Sequence, residues 1–253
     1  MHTTLVDIAF IPARQGSVRL PGKNIKNLNG IPLIAYSIHS AVASGLFSEV
    51  IVSTDSDEIA QIAKSWGASI PALRPPEYAK SSSTDLEWVM HALEHLVSCP
   101  IDQIDSIAIL RPTNPLRTPS TLRSAMQTFK ESPWADSLRA MEITQIHPGK
   151  MWRVSKQMEA TPYLDQSGEL IPTHNRPTQS LEELWIQNAS LEIARLKSVL
   201  ESNSISGRKV LGFKMPEFEG IDLNTELDWK LLEALVRDRP ELLPKPENPN
   251  EIE

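Results

Sequence analysis

An α/β domain with a mostly parallel sheet is the fold this sequence predicts, and three observations predict it. Short apolar runs at residues 8–11, 50–52 and 106–110 alternate with longer stretches whose apolar residues recur at helical spacing. Their order near the start of the chain is strand, helix, strand, helix, the pattern of parallel strands covered on both faces. Directly after the first run comes a loop of glycine, proline and basic residues, placed where open α/β sheets bind ligands.

The bulk properties bound the answer. A chain of 253 residues can bury a substantial core, and 40% hydrophobic with 23% charged residues is ordinary for a soluble globular protein. A formal net charge of −7 argues against general binding to nucleic acid or to an anionic membrane surface, so any anion must meet a local basic patch. The single cysteine, Cys99, reads as a small buried apolar residue, since it has no partner for a disulfide and no metal-ligand company in sequence. The N-terminus turns polar too early for a signal peptide, and no apolar run approaches the ~20 residues needed to span a bilayer. A cytoplasmic location is therefore expected.

The first strand, residues 8–11, is short and bounded by Pro12. The loop that follows carries Arg14, Arg19, Lys23 and Lys26 with no acidic residue among them. Backbone N–H groups around Gly16 can form an anion nest, and the cations offset phosphate charge, so the loop suits a polyphosphate. It is not a Walker A loop, because five residues separate Gly16 from Gly22 and Asn24 stands where Ser or Thr should hold magnesium. Pro32 starts a helix with Leu33, Ile34, Ile38, Ala41 and Val42 on its apolar face, ended by Gly45. Residues 49–53 form the next strand. Asp55 then stands on the ligand side, able to hold a metal or a substrate hydroxyl, or to cap the helix that runs through Ile59, Ala63 and Trp66. In Arg74-Pro75-Pro76 the prolines stiffen a turn around the arginine.

Ser83 or Thr84 caps a helix whose apolar face is Trp88, Val89, Ala92, Leu93, Leu96 and Val97. His91 and His95 share a face of it at i, i+4 but lack a third ligand, so they read as solvent-facing. Residues 106–110 are a buried strand that ends in Arg111-Pro112-Thr113-Asn114-Pro115-Leu116-Arg117, where two arginines suit an anion or a sugar acid. Ser120 is expected to cap the helix through Leu122, Ala125, Met126 and Phe129. After a strand at 137–143 the pattern loosens, with many prolines and glycines over 144–181. We expect an insertion there, between core segments 1–143 and 182–239. Strands at 184–190 and 209–215 flank a helix begun by residues 197–200, and a last helix runs through Leu231, Leu232, Leu235 and Val236. Asp222 and Asn224 alternate ahead of that helix, so both side chains point to one face and can share a divalent cation, while Asn224 or Thr225 can equally cap the helix. The tail 240–253, rich in proline and acid, is expected to fray.

The run I-P-A-R-Q-G-S-V-R-L-P-G-K-N at residues 11–24 resembles the signature of the cytidylyltransferases that activate sialic acids and related keto sugars. That resemblance covers about residues 6–236. It implies a three-layer α/β/α Rossmann-like nucleotidyltransferase fold, with the insertion making homodimer contacts and lending residues to the partner's sugar site. It further implies CTP as nucleotide and a keto-sugar acid as acceptor, with Mg²⁺ as cofactor. Carried over by position, Arg14, Gly16, Ser17, Lys23 and Asn24 attend the nucleotide, with Arg74 beside its base. Arg111, Thr113, Lys150, Gln179 and Asn188 attend the sugar, and Asp222 with Asn224 the metal. Arg14, Lys23 and Asp222 are the expected catalytic residues. The nucleotide end follows the family closely, whereas the sugar end departs at Arg111 (usually glutamine), Thr178, Ala189 and Glu192 (usually aromatic), and the metal end at Asn224 (usually aspartate). These departures point to an acceptor other than ordinary sialic acid. Two other readings stay open: a sugar-1-phosphate guanylyl- or uridylyltransferase, and a non-catalytic nucleotide-binding relative.

Overall fold

The computed structural model describes residues 5–17, 19–164 and 171–248. Ten strands and six α-helices are found among them: β1 (Val6–Pro12), β2 (Asn27–Leu28), β3 (Ile31–Pro32), α1 (Leu33–Ser44), β4 (Glu49–Ser53), α2 (Asp57–Ser65), α3 (Asp85–His95), β5 (Ile104–Ile109), α4 (Pro119–Lys130), β6 (Ser137–Ile143), β7 (Trp152–Val154), β8 (Ala160–Pro162), β9 (Trp185–Arg195), α5 (Leu196–Ser202), β10 (Val210–Lys214) and α6 (Glu226–Asp238). Six strands form the central sheet in the order β10-β6-β9-β5-β1-β4. β1 runs parallel to both neighbours, β4 and β5, while β9 is antiparallel to β5.

Alternation along the buried strands divides the core into layers. Ala9 and Ile11 of β1 pack with Ile34 and Ile38 of α1, Ile59 of α2, and Leu122 and Phe129 of α4. Ile8 and Phe10 face the other way, onto Trp88, Val89 and Leu93 of α3 and Val199 of α5. There Phe10 meets Trp88 edge-on with ring centroids 6.1 Å apart. Helix α6 makes a third cluster, with Trp229 and Leu232 against Leu28, Leu33, Tyr36 and Leu116.

Local chemistry explains most boundaries. Pro32 precedes the first turn of α1, and Gly45 closes it at φ 67°, donating its N–H to Val42. Thr84 and Glu87 form a reciprocal capping box at α3, as do Thr225 and Asp228 at α6. Asn29 and Gly30, at φ 49° and 83°, supply the left-handed pair for the tight hairpin of β2 and β3. Several expectations are corrected. Thr118, not Ser120, caps α4, because Pro119 takes the first helical position and Thr118 Oγ1 accepts from Thr121 N–H. β9 runs on to Arg195, five residues past the expected end. Val42 and Leu231 are exposed, not core. The tail does not fray from Pro240: a short turn spans Pro240–Leu242, and Leu243 is buried against the α6 cluster.

By compactness the chain divides into two units, one of residues 1–140 with 188–253 and one of 141–187. The second, somewhat wider than the insertion expected at 144–181, contains the β7–β8 hairpin. Within it Lys150 Nζ donates to the carbonyls of His174, at 2.9 Å, and of Arg176. Trp152 meets His174 at a tilt of 53°, with ring centroids 4.6 Å apart. The sequence also reads short extended pieces at residues 151–154 and 170–171; the first is β7, and Leu170 lies outside the described residues.

Candidate active site

β1 and β5 end side by side in the sheet, and the chain leaves β1 toward β4 before crossing back to β5. This is a topological switch point, where such sheets open a crevice at the carboxyl ends of their strands. A cavity of about 390 Å³ lies there within the first unit, a size suited to a small ligand. The loop after β1 contributes Pro12, Arg14, Ser17, Arg19, Lys23 and Asn24, and the segment between α2 and α3 contributes Arg74, Tyr78, Lys80, Ser81 and Ser83. The start of α3 adds Asp85 and Trp88, the exit of β5 adds Arg111, Pro112 and Thr113, and Ala189, Asp222 and Asn224 complete the lining. Six cationic side chains thus face two carboxylates, in a chain whose total charge is negative.

The basic loop is held from both sides. Gln15 N–H donates to Asp55 Oδ1 at 2.8 Å, so Asp55 neither caps α2 nor stands free; Ser56 is the cap. Buried Asn24 donates from Nδ2 to the carbonyl of Arg14 at 3.1 Å. Ser17 N–H turns back to the carbonyl of Gln15 at 2.8 Å. The N–H groups of Gln15, Ser17, Lys23, Ile25 and Lys26 are thus bonded within the protein, which leaves fewer of them for the anion nest expected around Gly16. Lys23 Nζ donates to the carbonyl of Leu223 at 2.8 Å, which joins the loop to the acidic segment before α6. Burial pulls the Lys23 ammonium below its ordinary range, with Asp222 opposing and Arg19 and Arg14 assisting.

In that acidic segment Arg19 Nη2 donates to Asn224 Oδ1 at 2.5 Å, and Asn224 Nδ2 donates to Asp222 Oδ2 at 2.6 Å. Asp222 Oδ1 is buried and has no hydrogen-bond partner. Such an orphaned carboxylate oxygen fits a bound cation. Among the described residues no cluster of three or more His, Cys, Asp or Glu side chains is arranged to hold a metal; of the two carboxylates that line the cavity, Asp85 is held by Arg111 and Asp222 keeps an unpartnered oxygen.

Arg74 is buried, not a surface arginine. Its Nε and Nη2 donate to the Ser53 hydroxyl at 2.9 Å and carbonyl at 2.7 Å, and its guanidinium lies 5.0 Å from the Trp88 ring centroid. Burial lowers its pKa to about 10 against the pull of Asp55 and Asp85. Arg111 donates to Asp85 and Glu192, at 2.5 and 3.0 Å. Arg117 corrects the expectation of a second anion-facing arginine. It is fully buried, burial lowers its pKa to about 9, and it donates to the Ser190 carbonyl, to Ser37 Oγ at 2.8 Å and to the Arg111 carbonyl at 3.5 Å.

The structure thus gathers Arg14, Ser17, Lys23, Asn24, Arg74, Arg111, Thr113, Asp222 and Asn224 around one cavity. Gly16 is exposed beside it, and Asn188 is buried on β9 with Oδ1 accepting from Ser190 N–H and Nδ2 without a partner. Lys150 and Gln179 lie in the second unit, Gln179 exposed. Lys80 was missed, along with Tyr78 and Ser83; the polar run Lys80-Ser81-Ser82-Ser83 after the proline turn was the available signal.

Comparison with solved structures places this fold. CMP:2-keto-3-deoxy-manno-octonic acid synthetase in complex with CTP superposes with a TM-score of 0.64 at 16% identity, over 92% of this chain and 99% of that one. 4-Diphosphocytidyl-2C-methyl-D-erythritol synthase of Anaerococcus prevotii superposes with a TM-score of 0.61 at 12% identity, over 92% and 99%. Both likenesses give the fold, the α/β fold of nucleotidyltransferases. At the level of sequence, the family described as cytidylyltransferase matches residues 8–189, and the chain belongs to that family. Its relatives include CMP-N,N'-diacetyllegionaminic acid synthase of Legionella pneumophila, 34% identical over 238 residues, 93% of this chain and 98% of the relative. Post-translational flagellin modification protein B of Campylobacter coli is 28% identical over 92% of this chain and 95% of its own length. The N-acylneuraminate cytidylyltransferase of Escherichia coli is 30% identical over 88% of this chain, which spans half the length of that relative.

Proposed function

We propose that this cytidylyltransferase transfers CMP from CTP to the anomeric hydroxyl of a sialic-acid-like keto-sugar acid. The hydroxyl oxygen bonds to the α-phosphorus, the bond to the β-phosphate oxygen breaks, pyrophosphate leaves, and the hydroxyl proton passes to solvent. The observation that carries this reading is the single cavity in which Arg14, Arg19 and Lys23 stand opposite Asp222 at the ends of the parallel strands. No protein nucleophile is required, so the residues act by position and charge. Arg14 and Lys23 take the phosphates, Ser17 hydrogen-bonds the nucleotide, and Asn24 keeps the loop in shape through the Arg14 carbonyl. Arg74 braces the wall beside the base through Ser53.

Asp222 is the proposed holder of Mg²⁺, supported by its unpartnered Oδ1; Asn224, whose Nδ2 faces Asp222 while its Oδ1 accepts from Arg19, is proposed to join it through that oxygen once its amide turns over. Bound there, the ion offsets negative charge as pyrophosphate departs. With one protein carboxylate, most remaining ligands must be phosphate oxygens and water. A homodimer completes the reading. The second unit exposes Ile146, Met151, Trp152, Val154, Met158, Tyr163 and Ile171, an apolar surface of the kind that marks an interface, and Lys150 and Gln179 are proposed to serve the partner's acceptor site. A cytoplasmic setting is proposed as well; among the described residues no helix is long and apolar enough to cross a membrane.

The test is pyrophosphate release measured with each of the four nucleoside triphosphates, with and without Mg²⁺, against a panel of keto-sugar acids and sugar 1-phosphates. Mg²⁺-dependent turnover of CTP with a keto-sugar acid is expected. Turnover of UTP or GTP with a sugar 1-phosphate, or CTP binding without turnover on any acceptor, overturns the reading.

A further inference from the structure

Three adjacent strands carry a ladder of alternating charge into the cavity. β9 lies between β6 and β5, and Glu192 on β9 pairs with Ile109 on β5, two residues before Arg111. Glu192 is only 4% exposed, in a sheet face otherwise formed by Ile107, Ile109 and Ala194. An ionised carboxylate there needs partners, and both of its oxygens have them. Arg111 Nη2 donates to Oε1 at 3.0 Å, and Arg139 Nη1 of β6 pairs with Oε2. Arg139 is anchored in turn by Ser206 Oγ at 2.7 Å. On its other side Arg111 grips Asp85, with Nη2 at 2.5 Å from Oδ2 and Nη1 at 3.4 Å from Oδ1. The Trp88 indole N–H fixes Asp85 Oδ1 at 2.9 Å. The sequence Arg139–Glu192–Arg111–Asp85 therefore alternates two cations with two anions, and its last two members line the cavity.

We propose that Glu192 is a positioning residue for acceptor choice: with Asp85 it holds Arg111 from two sides, so that Arg111 meets the acceptor through an uncharged hydroxyl or acylamino carbonyl and not through the acceptor's carboxylate. This rests on the reading of the cavity as the site of a keto-sugar acid. A guanidinium has five N–H donors, and it holds a carboxylate best through a fork of two. In Arg111 both terminal nitrogens already serve Asp85, and the second of them also serves Glu192. The ladder is already charge-balanced, so a third carboxylate at this wall would add an uncompensated negative charge beside a guanidinium whose two terminal nitrogens already serve Asp85. A neutral oxygen adds no such charge and can still accept one of the uncommitted N–H groups.

The test crosses a protein change with a substrate change. The acceptor and its carboxamide analogue are compared on wild type and on Arg111→Gln. The carboxamide should lower kcat/KM by the same factor on both proteins, within about twofold, since uncoupled sites respond additively. A penalty at least about tenfold smaller on Arg111→Gln would mean that Arg111 holds the carboxylate, and would overturn the proposal. In parallel, Glu192→Gln and the pair Arg139→Gln/Glu192→Gln, which removes both buried charges at once, should raise the acceptor KM roughly tenfold and leave the CTP KM within about twofold. An unchanged acceptor KM, or equal rises for both substrates, refutes the positioning role; if neither variant folds, the carboxamide comparison still decides. Should wild type turn over no keto-sugar acid with CTP, the proposed function falls and this inference falls with it. Normal turnover with unresponsive variants sinks this inference alone.

Discussion

Replacing Lys23 with methionine tests the phosphate assignment most directly. The Nζ sits 2.8 Å from the Leu223 carbonyl, between the basic loop and the segment that carries Asp222 and Asn224. One N–H is used there, which leaves two for phosphate oxygens. Losing a preorganised donor to charge that develops in the transition state costs about 2.7–4 kcal/mol, or about 10²–10³ in kcat. The structural loss is smaller, about 1 kcal/mol for the Leu223 hydrogen bond, and relief of repulsion from Arg14 and Arg19 opposes it. Lys23→Met should therefore fold and bind CTP weakly, while pyrophosphate release at saturating substrates falls at least about a hundredfold. The pH dependence has a definite sign. Burial lowers the Lys23 pKa from its ordinary 10.5 in the free protein, and a bound phosphate favours the charged form. Binding then takes up a proton at alkaline pH, so CTP affinity is intact below the lowered pKa and declines as pH rises through it, earlier than an ordinary lysine would allow. The methionine variant should lose the part of the decline that belongs to Lys23 and keep any that belongs to Arg74, whose pKa is lowered to about 10. A kcat within about threefold of wild type, or an alkaline profile identical in the variant, would refute the assignment.

The other predictions concern the frame around the site. Gly207 sits at φ +62°, and an added Cβ would lie 2.4 Å from Asp136 Cβ; Gly207→Ala should cost about 1–3 kcal/mol in chemical denaturation, and an unchanged midpoint would contradict the packing. Arg117→Met removes the buried donor to the Ser190 carbonyl and to Ser37 Oγ, at a cost of about 1–3 kcal/mol for the Ser190 oxygen, while Ser37 still donates to the Arg111 carbonyl at 3.0 Å. It should lower Tm by roughly 5 °C or more, whereas an unchanged Tm with weakened CTP binding would return Arg117 to the nucleotide site. Asn224→Asp sets a second carboxylate beside Asp222 in place of the present 2.6 Å hydrogen bond. It should destabilise the metal-free protein by like-charge repulsion and increase the rise in Tm that Mg²⁺ produces; an equal Mg²⁺ response in both proteins would remove Asn224 from the metal's surroundings.

What the sequence made legible was mostly local. The strand Glu49–Ser53 was bounded correctly, and α1 begins after Pro32 and ends before Gly45, because proline, glycine and apolar period act over a few residues. The Thr84 cap was one of two candidates, and its Glu87 partner three residues on decides it. Errors arose where a local rule met a distant contact. β9 seemed to end near Ser190 because Glu192 interrupts the apolar run, yet the strand continues as Leu191 and Ile193 fill one face while Arg111 and Arg139 satisfy Glu192 on the other. The tail's composition suggested fraying, but Leu243 finds the α6 cluster.

Charge pairing explains why the site was only half legible. Arg111 and Arg117 stand six residues apart in one motif and looked equivalent, since composition cannot say which guanidinium faces a cavity and which is consumed by carbonyls. Their fates are set by distant residues, Glu192 for Arg111, 81 positions away, and Ser190 for Arg117, 73 positions away. The same distance hid the relation between two departures from the family's usual form. Arg111 in place of glutamine and Glu192 in place of an aromatic residue look unrelated in sequence, but they meet at 3.0 Å. Either change alone would strain this wall. An arginine beside Asp85 and Arg139 without Glu192 would crowd two cations against one carboxylate, and a buried glutamate without Arg111 would rest on Arg139 alone. Under the proposed function they are one alteration of the acceptor wall, from a neutral polar surface to a charge-compensated one, and the proposal is that this change selects an acceptor that differs from ordinary sialic acid at the group facing the wall.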